Sequence, residues 1–201
     1  MKYWPQQGSA NTEATVETAL KRAEELKIKH IIVASSSGKT AQMMAGKGFN
    51  IICVSHHVGF ANPGEDEMGS RMRRLLPELG VKVLTTTHLF AGIDRALRNH
   101  SQGLYPAEIV ANTLRLFGQG IKVCVEISVM ALDAGLIPYG QEVIAVGGSG
   151  QGADAACVIA PAHSSQFFDN KIKEIICMPR EHYLHITQAA ASLGSGRFVC
   201  R

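Results

Sequence analysis

The sequence has 201 residues, of which 46% are hydrophobic and 18% charged, with a formal net charge of +3 at pH 7. This composition is typical of a globular domain with a sizeable core and excludes a disordered or fibrous chain. Lys and Arg are scattered along the chain, so no basic patch favours nucleic acid. No apolar stretch reaches the roughly 20 residues of a membrane-spanning helix. We therefore expect a soluble, cytoplasmic protein with neither nucleic-acid nor membrane partners.

The first half of the chain predicts a helix followed by a βαβ unit. Apolar residues recur at helical spacing over residues 13–27. Two continuously apolar runs, 31–33 and 51–54, flank a short helical stretch at 39–45. Runs of this kind are typical of parallel strands that are buried on both faces of a sheet.

The elements predicted after this unit continue the alternation of helices and strands. A helix over 68–79 ends at Gly80 and contains Pro77, and a strand at 81–84 follows it. The remaining predictions are a helix at 106–117, a strand at 123–127, a short helix at 128–133, and strands at 143–146, 156–159 and 175–178.

This order of elements predicts an α/β fold with three layers and a doubly wound, mostly parallel sheet. A closed eightfold barrel needs more elements than the sequence offers. We predict a single domain over residues 1–180 and a C-terminal extension over 181–201, to which we assign no function.

The five cysteines are predicted to be reduced core residues. Most of them lie in or beside apolar runs, and the sequence has no C-x-x-C pair. An odd number of cysteines without such a pair disfavours a disulfide framework or a zinc ribbon. The five are Cys53, Cys124, Cys157, Cys177 and Cys200.

A hydroxyl-rich turn follows the first buried strand and is the first candidate site. Its residues are Ser35, Ser36, Ser37, Gly38, Lys39 and Thr40. Hydroxyl groups, free backbone N–H groups and one cation at a helix start are the groups that phosphate prefers. The turn is not a Walker A loop, because such a loop has a glycine five residues before Gly38 and that residue is Val33. The alternative is that one serine only caps the helix.

Other polar residues follow the next strands, where ligands bind in doubly wound sheets. His56 and His57 follow the second strand and His88 follows the third. Each histidine alone is also explained as an ordinary loop residue. Their spacing does not favour a metal site. We predict Glu126 at the end of the strand at 123–127, where it either accepts hydrogen bonds from a ligand or caps the following helix.

A glycine cluster, AVGGSGQGAD, follows the strand at 143–146. It does not fit the dinucleotide-binding fingerprint, because a strand rather than a long helix is predicted after it. With Asp154 beside it, this loop either approaches a ribose or ribityl chain or forms a tight connection between two strands.

Several motifs of the chain resemble a known family. IIVASSSGKTAQMMA resembles the C-terminal domain of pyruvate kinase, in which a similar turn binds an effector phosphate. The chain more closely resembles small stand-alone proteins with this fold. The motifs that show this resemblance are Asn11-Thr12-Glu13, VASSSGKTA, KVCVEISVMALDAGLIP, AVGGSGQGAD, PAHSSQFFD and EIICMPR. The resemblance implies a fold like the pyruvate kinase C-terminal domain and a cofactor, flavin mononucleotide (FMN), whose phosphate is bound by Ser35 to Thr40.

The resemblance also implies a set of ligand-facing residues. Lys39 departs from the family pattern, and backbone N–H groups would bind phosphate without it. No segment resembles the catalytic barrel of pyruvate kinase, so we do not expect kinase activity. The implied residues are Asn11, Ser35, Ser36, Ser37, Gly38, Lys39, Thr40, His57, Gly59, Phe60, Glu126, Gly147 and Gly148.

Two functions stay open at this point. The first is an FMN-binding protein, with or without oxidoreductase activity, in which the cofactor carries the electrons. The second is a regulatory module that binds a phosphorylated metabolite without chemistry. A metal-free hydrolase is disfavoured, because no G-x-S-x-G motif is present. No catalytic residue can be named, and a monomer and a homo-oligomer are both compatible with the sequence.

Overall fold

The computed structural model describes residues 1–182, which form a seven-stranded sheet with helices on both faces. The strands are β1 (Lys2–Gln6), β2 (His30–Ala34), β3 (Asn50–Ser55), β4 (Lys82–Thr85), β5 (Val143–Gly147), β6 (Ala155–Ala160) and β7 (Lys171–Glu181). The helices are α1 (Thr12–Leu26), α2 (Lys39–Met44), α3 (Ser70–Glu78), α4 (Ile93–Ser101), α5 (Pro106–Leu114) and α6 (Gln119–Asp133). Three short 3-10 segments are Ser9–Asn11, Arg115–Phe117 and Ser164–Asp169.

The sheet has the strand order β1-β7-β6-β5-β2-β3-β4. The pairs β5–β2, β2–β3, β3–β4 and β1–β7 are parallel, whereas β6 is antiparallel to both of its neighbours. The prediction of a mostly parallel, doubly wound sheet is therefore confirmed. Because β3 and β5 flank β2, the chain reverses its winding direction there, and a crevice forms at the carboxyl ends of β2 and β5.

Alternate residues of β2 pack into two separate hydrophobic cores. Ile31 and Val33 contact one core, which also contains residues of α1, α2 and α3. Ile32 contacts the other core, which is built mainly from α6. Successive side chains of a strand point to opposite faces, and here both faces are covered. The continuously apolar run predicted this arrangement correctly.

The predicted strand at 123–127 is wrong, and the helix predicted at 128–133 is the last part of a longer helix. Both segments belong to the single helix α6, which starts after Gly118 and continues to Asp133. Nearly all of this helix is buried between the sheet and neighbouring helices, so its sequence lacks the polar stripe of an ordinary surface helix. The β-branched residues of this helix therefore produce the sequence pattern of a buried strand.

Four smaller elements differ from the sequence predictions. β1 and α4 had not been predicted, and β7 starts at Lys171 rather than at residue 175. The helix predicted over 106–117 is α5 followed by a 3-10 turn. Pro77 lies inside α3, near its end. Of the predicted extension at 181–201, the part after His182 lies outside the described residues.

Four cysteines are buried and unpaired, as predicted: Cys53, Cys124, Cys157 and Cys177. Burial raises the pKa of the Cys53 thiol to about 12 and that of the Cys177 thiol to about 11. Thiols with such pKa values are inert at neutral pH. Cys200 lies outside the described residues. Within residues 1–182, no helix has the length and apolar character needed to cross a bilayer.

Candidate functional site

A cavity of about 1070 Å³ opens at the carboxyl ends of β2, β3 and β5. Its walls come from the turn after β2, the loops after β3 and β4, the buried helix α6 and the loop after β5. This is the crevice at which the winding direction of the sheet reverses. Its volume is sufficient for a drug-sized or nucleotide-sized ligand.

The turn between β2 and α2 lines one end of this cavity. Ser35 is buried, donates its backbone N–H to Val54 (3.0 Å) and accepts a hydrogen bond from the N–H of Thr40 at its Oγ (3.3 Å). The capping role considered for a serine is thus taken by Ser35. In the described part of the chain, the N–H and hydroxyl groups of Ser36 and Ser37 donate to no other residue. These two serines present unused donors to the cavity.

Gly38 is required by the turn for two physical reasons. Its φ of +81° lies in the left-handed region, where L side chains are strained. A Cβ built at this position would lie 2.3 Å from Cγ of Met72 on α3. Gly38 therefore faces α3 and shapes the turn, and it does not line the cavity.

An aromatic cluster forms the wall after β3 and β4. The rings of His56 and Phe60 stack with centroids 3.7 Å apart, and the ring of His88 lies 5.4 Å from that of His56. These three residues line the cavity, and His57 contacts the rings of Phe60 and His88 from behind the wall. The positive φ of Gly59 (+85°) makes the turn that brings Phe60 back toward the histidines.

Burial and acidic neighbours act on the histidines of this cluster in different ways. Burial lowers the pKa of His88, despite the opposing effect of nearby Glu126. His56 Nδ1 lies 2.5 Å from Oε2 of Glu67, which also lines the cavity. The wall therefore combines a mainly neutral imidazole with an imidazole paired to an acid.

Glu126 lies on α6 and not at a strand end, but it does face the cavity. Its side chain is buried, forms an ion pair with Lys122 one turn earlier on the helix, and accepts the N–H of Phe90 (3.0 Å). Burial alone would raise the pKa of Glu126, but Lys122, Phe90 N–H and His88 together lower it below its ordinary value. Burial also lowers the pKa of Lys122. Neither the ligand nor the helix-capping interpretation predicted this internal ion pair.

Two arginines in the cavity wall were missed by the sequence analysis. Arg115 donates to side-chain oxygens of Gln119 (2.7 Å) and Asn112 (2.7 Å), and Arg95 lies over the ring of Phe60 at 5.6 Å from its centroid. Both line the cavity. The i, i+4 spacing of Lys and Glu in KVCVE would have indicated a helix with a charged face, and Arg115 lies two turns before this pair.

The glycine cluster after β5 brings three segments into close contact. A Cβ at Gly147 would lie 2.4 Å from the carbonyl oxygen of Gly120 in α6, and a Cβ at Gly152 would lie 2.2 Å from Oγ1 of Thr12. Asp154 accepts the N–H groups of Gly8 (2.8 Å) and Ser149 (3.2 Å). This geometry matches the tight-connection interpretation of the loop.

Eight of the thirteen residues implied by the resemblance line the cavity, and the other five support its walls. Asn11 uses its side-chain amide on the carbonyls of Gln6 (2.8 Å) and Gly8 (3.2 Å). The eight lining residues are Ser35, Ser36, Ser37, Lys39, Thr40, Phe60, Glu126 and Gly148. The supporting residues are Asn11, Gly38, His57, Gly59 and Gly147. Within residues 1–182, no group of three or more His, Cys, Asp or Glu side chains is arranged to hold a metal ion.

The sheet order and the crevice at β2 define a doubly wound α/β domain with a ligand-sized cavity at its switch point. A family model described as "Pyruvate kinase, alpha/beta domain" matches residues 13–159. The chain belongs to this family of pyruvate kinase α/β domains.

Solved structures of pyruvate kinase from Cryptosporidium parvum are similar to the chain. One is 20% identical with a TM-score of 0.41, and the match covers 77% of this chain and 23% of that pyruvate kinase chain. A second is 21% identical with a TM-score of 0.36, and the match covers 70% of this chain and 21% of that pyruvate kinase chain. The chain thus spans less than a quarter of the length of these pyruvate kinases.

Proposed function

We propose that the chain binds FMN in the cavity at the carboxyl ends of β2, β3 and β5, with the phosphate at the turn from Ser35 to Thr40. The observation that carries this proposal is the unused N–H and hydroxyl donors of Ser36 and Ser37, which face a cavity of about 1070 Å³. The motif resemblance to small FMN-binding proteins supports the choice of ligand.

The residues present fit the chemistry of this cofactor. Phosphate requires several hydrogen-bond donors, and the turn offers two free hydroxyls, free backbone N–H groups and the nearby Lys39. A flavin ring requires an extended apolar and aromatic surface, and Val54, Ile127, Met130 and Phe60 supply one in the same cavity. Bound FMN would supply electron transfer, while the residues of this chain bind and orient it.

A flavin titration tests the proposal directly. FMN fluorescence should be quenched on addition of the purified protein, with a dissociation constant in the micromolar range or below. Riboflavin, which lacks the phosphate, should bind at least about tenfold more weakly. Equal binding of FMN and riboflavin would show that the turn does not bind the phosphate, and no binding of either would overturn the assignment of FMN.

A matched pair of variants localises the phosphate. The double variant Ser36→Ala, Ser37→Ala removes the two free hydroxyls and should weaken FMN binding while leaving riboflavin binding unchanged. Ser101→Ala removes an exposed hydroxyl at the end of α4, outside the cavity, and should change neither.

The regulatory alternative predicts a different ligand profile at the same turn. A sensor of a phosphorylated metabolite should show thermal shifts with sugar phosphates that exceed those with FMN. The same serine double variant should abolish those shifts. A panel of both ligand types on the same protein sample therefore separates the two functions.

A further inference from the structure

The helices α4 and α5 present large apolar side chains on the surface of the described chain. Ile93 and Leu97 lie one turn apart on α4, and Ile109 lies on α5. Others lie in the connection between the two helices and in the 3-10 turn after α5. These side chains are between 40% and 75% exposed. We call the set the α4–α5 surface, and it consists of Ile93, Leu97, Leu104, Ile109, Leu116 and Phe117.

The charged residues of the same segment are partly buried. Asp94 accepts the N–H of Ala107 (2.9 Å), and Arg98 forms an ion pair with Glu108. These contacts hold α4 beside α5, so the apolar residues of the two helices share one surface. Apart from His100, the exposed residues within 93–117 have no ionisable side chain. The partly buried charged residues in this range are Asp94, Arg95, Arg98, Glu108 and Arg115.

The helix α1 shows the usual arrangement for a surface helix of the same chain. Its residues Glu13, Glu17 and Lys21 are exposed. Val16 and Ala19 of α1 are buried in the core. A surface helix is stabilised in this way, with charged residues toward water and apolar residues toward a packed neighbour. In α4 and α5 the exposed residues are apolar or neutral and the charged ones are partly buried, which indicates that another surface packs there.

The helix α4 also lacks the burial that stabilises short helices. It has nine residues, and none of them is buried. Helices of this length are marginal in water, and in proteins they depend on packing an apolar face. The apolar residues that α4 could pack, Ile93 and Leu97, are both exposed. A surface that covers these two residues would supply the missing burial.

The area of the α4–α5 surface fits a second copy of the same chain. With about 200 Å² for a fully exposed residue of this size, its six residues expose roughly 700 Å² together. The largest apolar patch of a typical monomer has about 300–600 Å². A standard interface buries about 800 Å² on each partner. The α4–α5 surface and the neutral residues around it are therefore large enough for one side of a stable dimer.

The absence of exposed charge also favours a second copy over other occupants. Helices that lie on a membrane surface need Lys or Arg on their polar face. A strongly acidic or basic partner needs the opposite charge on the surface that it contacts. Residues 93–117 expose no Lys, Arg, Asp or Glu. Two copies of this surface can therefore meet without like-charge repulsion.

We propose that the α4–α5 surface is the interface of a symmetric homodimer, in which it packs against the same surface of a second copy of the chain. In a two-fold dimer the same patch is used by both subunits, so both bury their exposed apolar residues at once. This inference goes beyond the proposed function, and it is tested without FMN. Arg95 of α4 lines the cavity, so the dimer would also support part of the cavity wall.

Sedimentation velocity of the full chain in reducing buffer tests the dimer. Between about 1 and 100 µM, a species with twice the mass of one chain should form, and its fraction should rise with concentration. The midpoint of urea unfolding should rise with protein concentration for the same reason. A chain that stays monomeric at the highest concentration would overturn the proposal and assign the surface to the segment after residue 182 or to a different protein.

Single charged substitutions locate the interface. Ile109→Glu and Leu116→Glu each bury an unpaired carboxylate in the dimer, and each should weaken dimerisation by at least about 100-fold. Both positions are exposed in the single chain, so circular dichroism should show the wild-type fold. The control Phe168→Glu changes a side chain that is 89% exposed in a different segment and should dimerise like wild type. Unchanged dimerisation of both α4–α5 variants would overturn the interface.

A mixture of oppositely charged variants tests whether the surface meets its own copy. One double variant is Ile109→Glu, Leu116→Glu, and the other is Ile109→Lys, Leu116→Lys. Each alone should be monomeric because like charges face each other. Mixed at low salt, they should form a heterodimer that dissociates as salt rises, because opposite charges then face each other. A mixture that stays monomeric would mean that the surface does not pack against itself, and the symmetric dimer would be wrong.

Discussion

Lys39 is the first residue of α2 and is exposed at the edge of the cavity. Its ammonium group is a mobile point charge, whereas Ser36, Ser37 and the backbone offer fixed donors. We therefore predict that Lys39→Ala weakens FMN binding by only about three- to tenfold. Fluorescence titration measures this effect, and Lys47→Ala, an exposed lysine outside the cavity, is the control. Complete loss of binding would mean that Lys39 dominates the phosphate site.

The ion pair of Lys122 and Glu126 makes a prediction about stability. Glu126→Gln leaves Lys122 buried beside a neutral amide, and removing one partner of a buried pair costs about 3–5 kcal/mol in the free energy of unfolding. Urea unfolding at pH 7 measures this cost. The double variant Lys122→Met, Glu126→Gln removes the unpaired cation and should recover much of the loss, because the Gln oxygen can still accept the N–H of Phe90.

The pH dependence of this effect has a definite sign. The pKa of Glu126 is lowered in the folded protein. Its stabilising contribution is therefore present above the unfolded pKa, about 4.3, and is lost as the pH falls through the lower folded value. The stability difference between wild type and Glu126→Gln should shrink in acid. A difference that grows below pH 4 would contradict the ion pair.

At the scale of elements, the local sequence pattern was sufficient to predict the central strands but not to predict α6. β2 and β3 could be predicted because continuous apolar runs bounded by polar turns are typical of buried parallel strands. In α6, both the face toward the sheet and the face toward α5 are buried, so periodicity gave no signal. β1 is short, and Trp4 is its one buried residue, so it left little pattern to find.

The position of the serine turn between β2 and α2 could be predicted because its residues are contiguous in sequence. The two arginines could not, because their shared wall is created by the packing of α4, the 3-10 turn after α5 and α6. No local motif records which of several scattered arginines come together in one wall once the chain has folded. That property belongs to the contact between elements.

The contact of the serine turn with α3 predicts that a side chain at Gly38 destabilises the fold. Gly38→Ala introduces both a strained left-handed residue and a Cβ 2.3 Å from Met72 Cγ. Gly46→Ala introduces a similar strain at φ +70°, but its Cβ would meet no atom within 4 Å. Both variants should lose about 1 kcal/mol or more in the free energy of unfolding, and Gly38→Ala should lose more. Thermal or urea unfolding of the pair isolates the packing contribution, and equal losses would show that α3 yields freely.

At the scale of the whole molecule, Asp154 joins parts of the chain that are far apart in sequence. Its Oδ2 accepts N–H groups from Gly8, near the end of β1, and from Ser149 in the loop that lines the cavity. Its Oδ1 is buried and has no hydrogen-bond partner in residues 1–182. The carboxylate therefore fixes the N-terminal segment against the cavity loop while remaining partly unsatisfied.

Burial raises the pKa of Asp154 in the folded protein, although the N–H groups of Gly8 and Ser149 oppose the shift. A raised folded pKa means that the contribution of Asp154 to stability is greatest below the unfolded value of about 3.9 and declines as the pH rises through the folded value. Asp154→Asn cannot ionise, so its stability relative to wild type should improve between about pH 4 and pH 7. Urea unfolding across this range measures the trend, with the exposed Asp169→Asn as control. If the relative stability of Asp154→Asn falls over the same range, the folded protein prefers the ionised carboxylate. The negative charge of Asp154 would then stabilise the contact with the N-terminal segment.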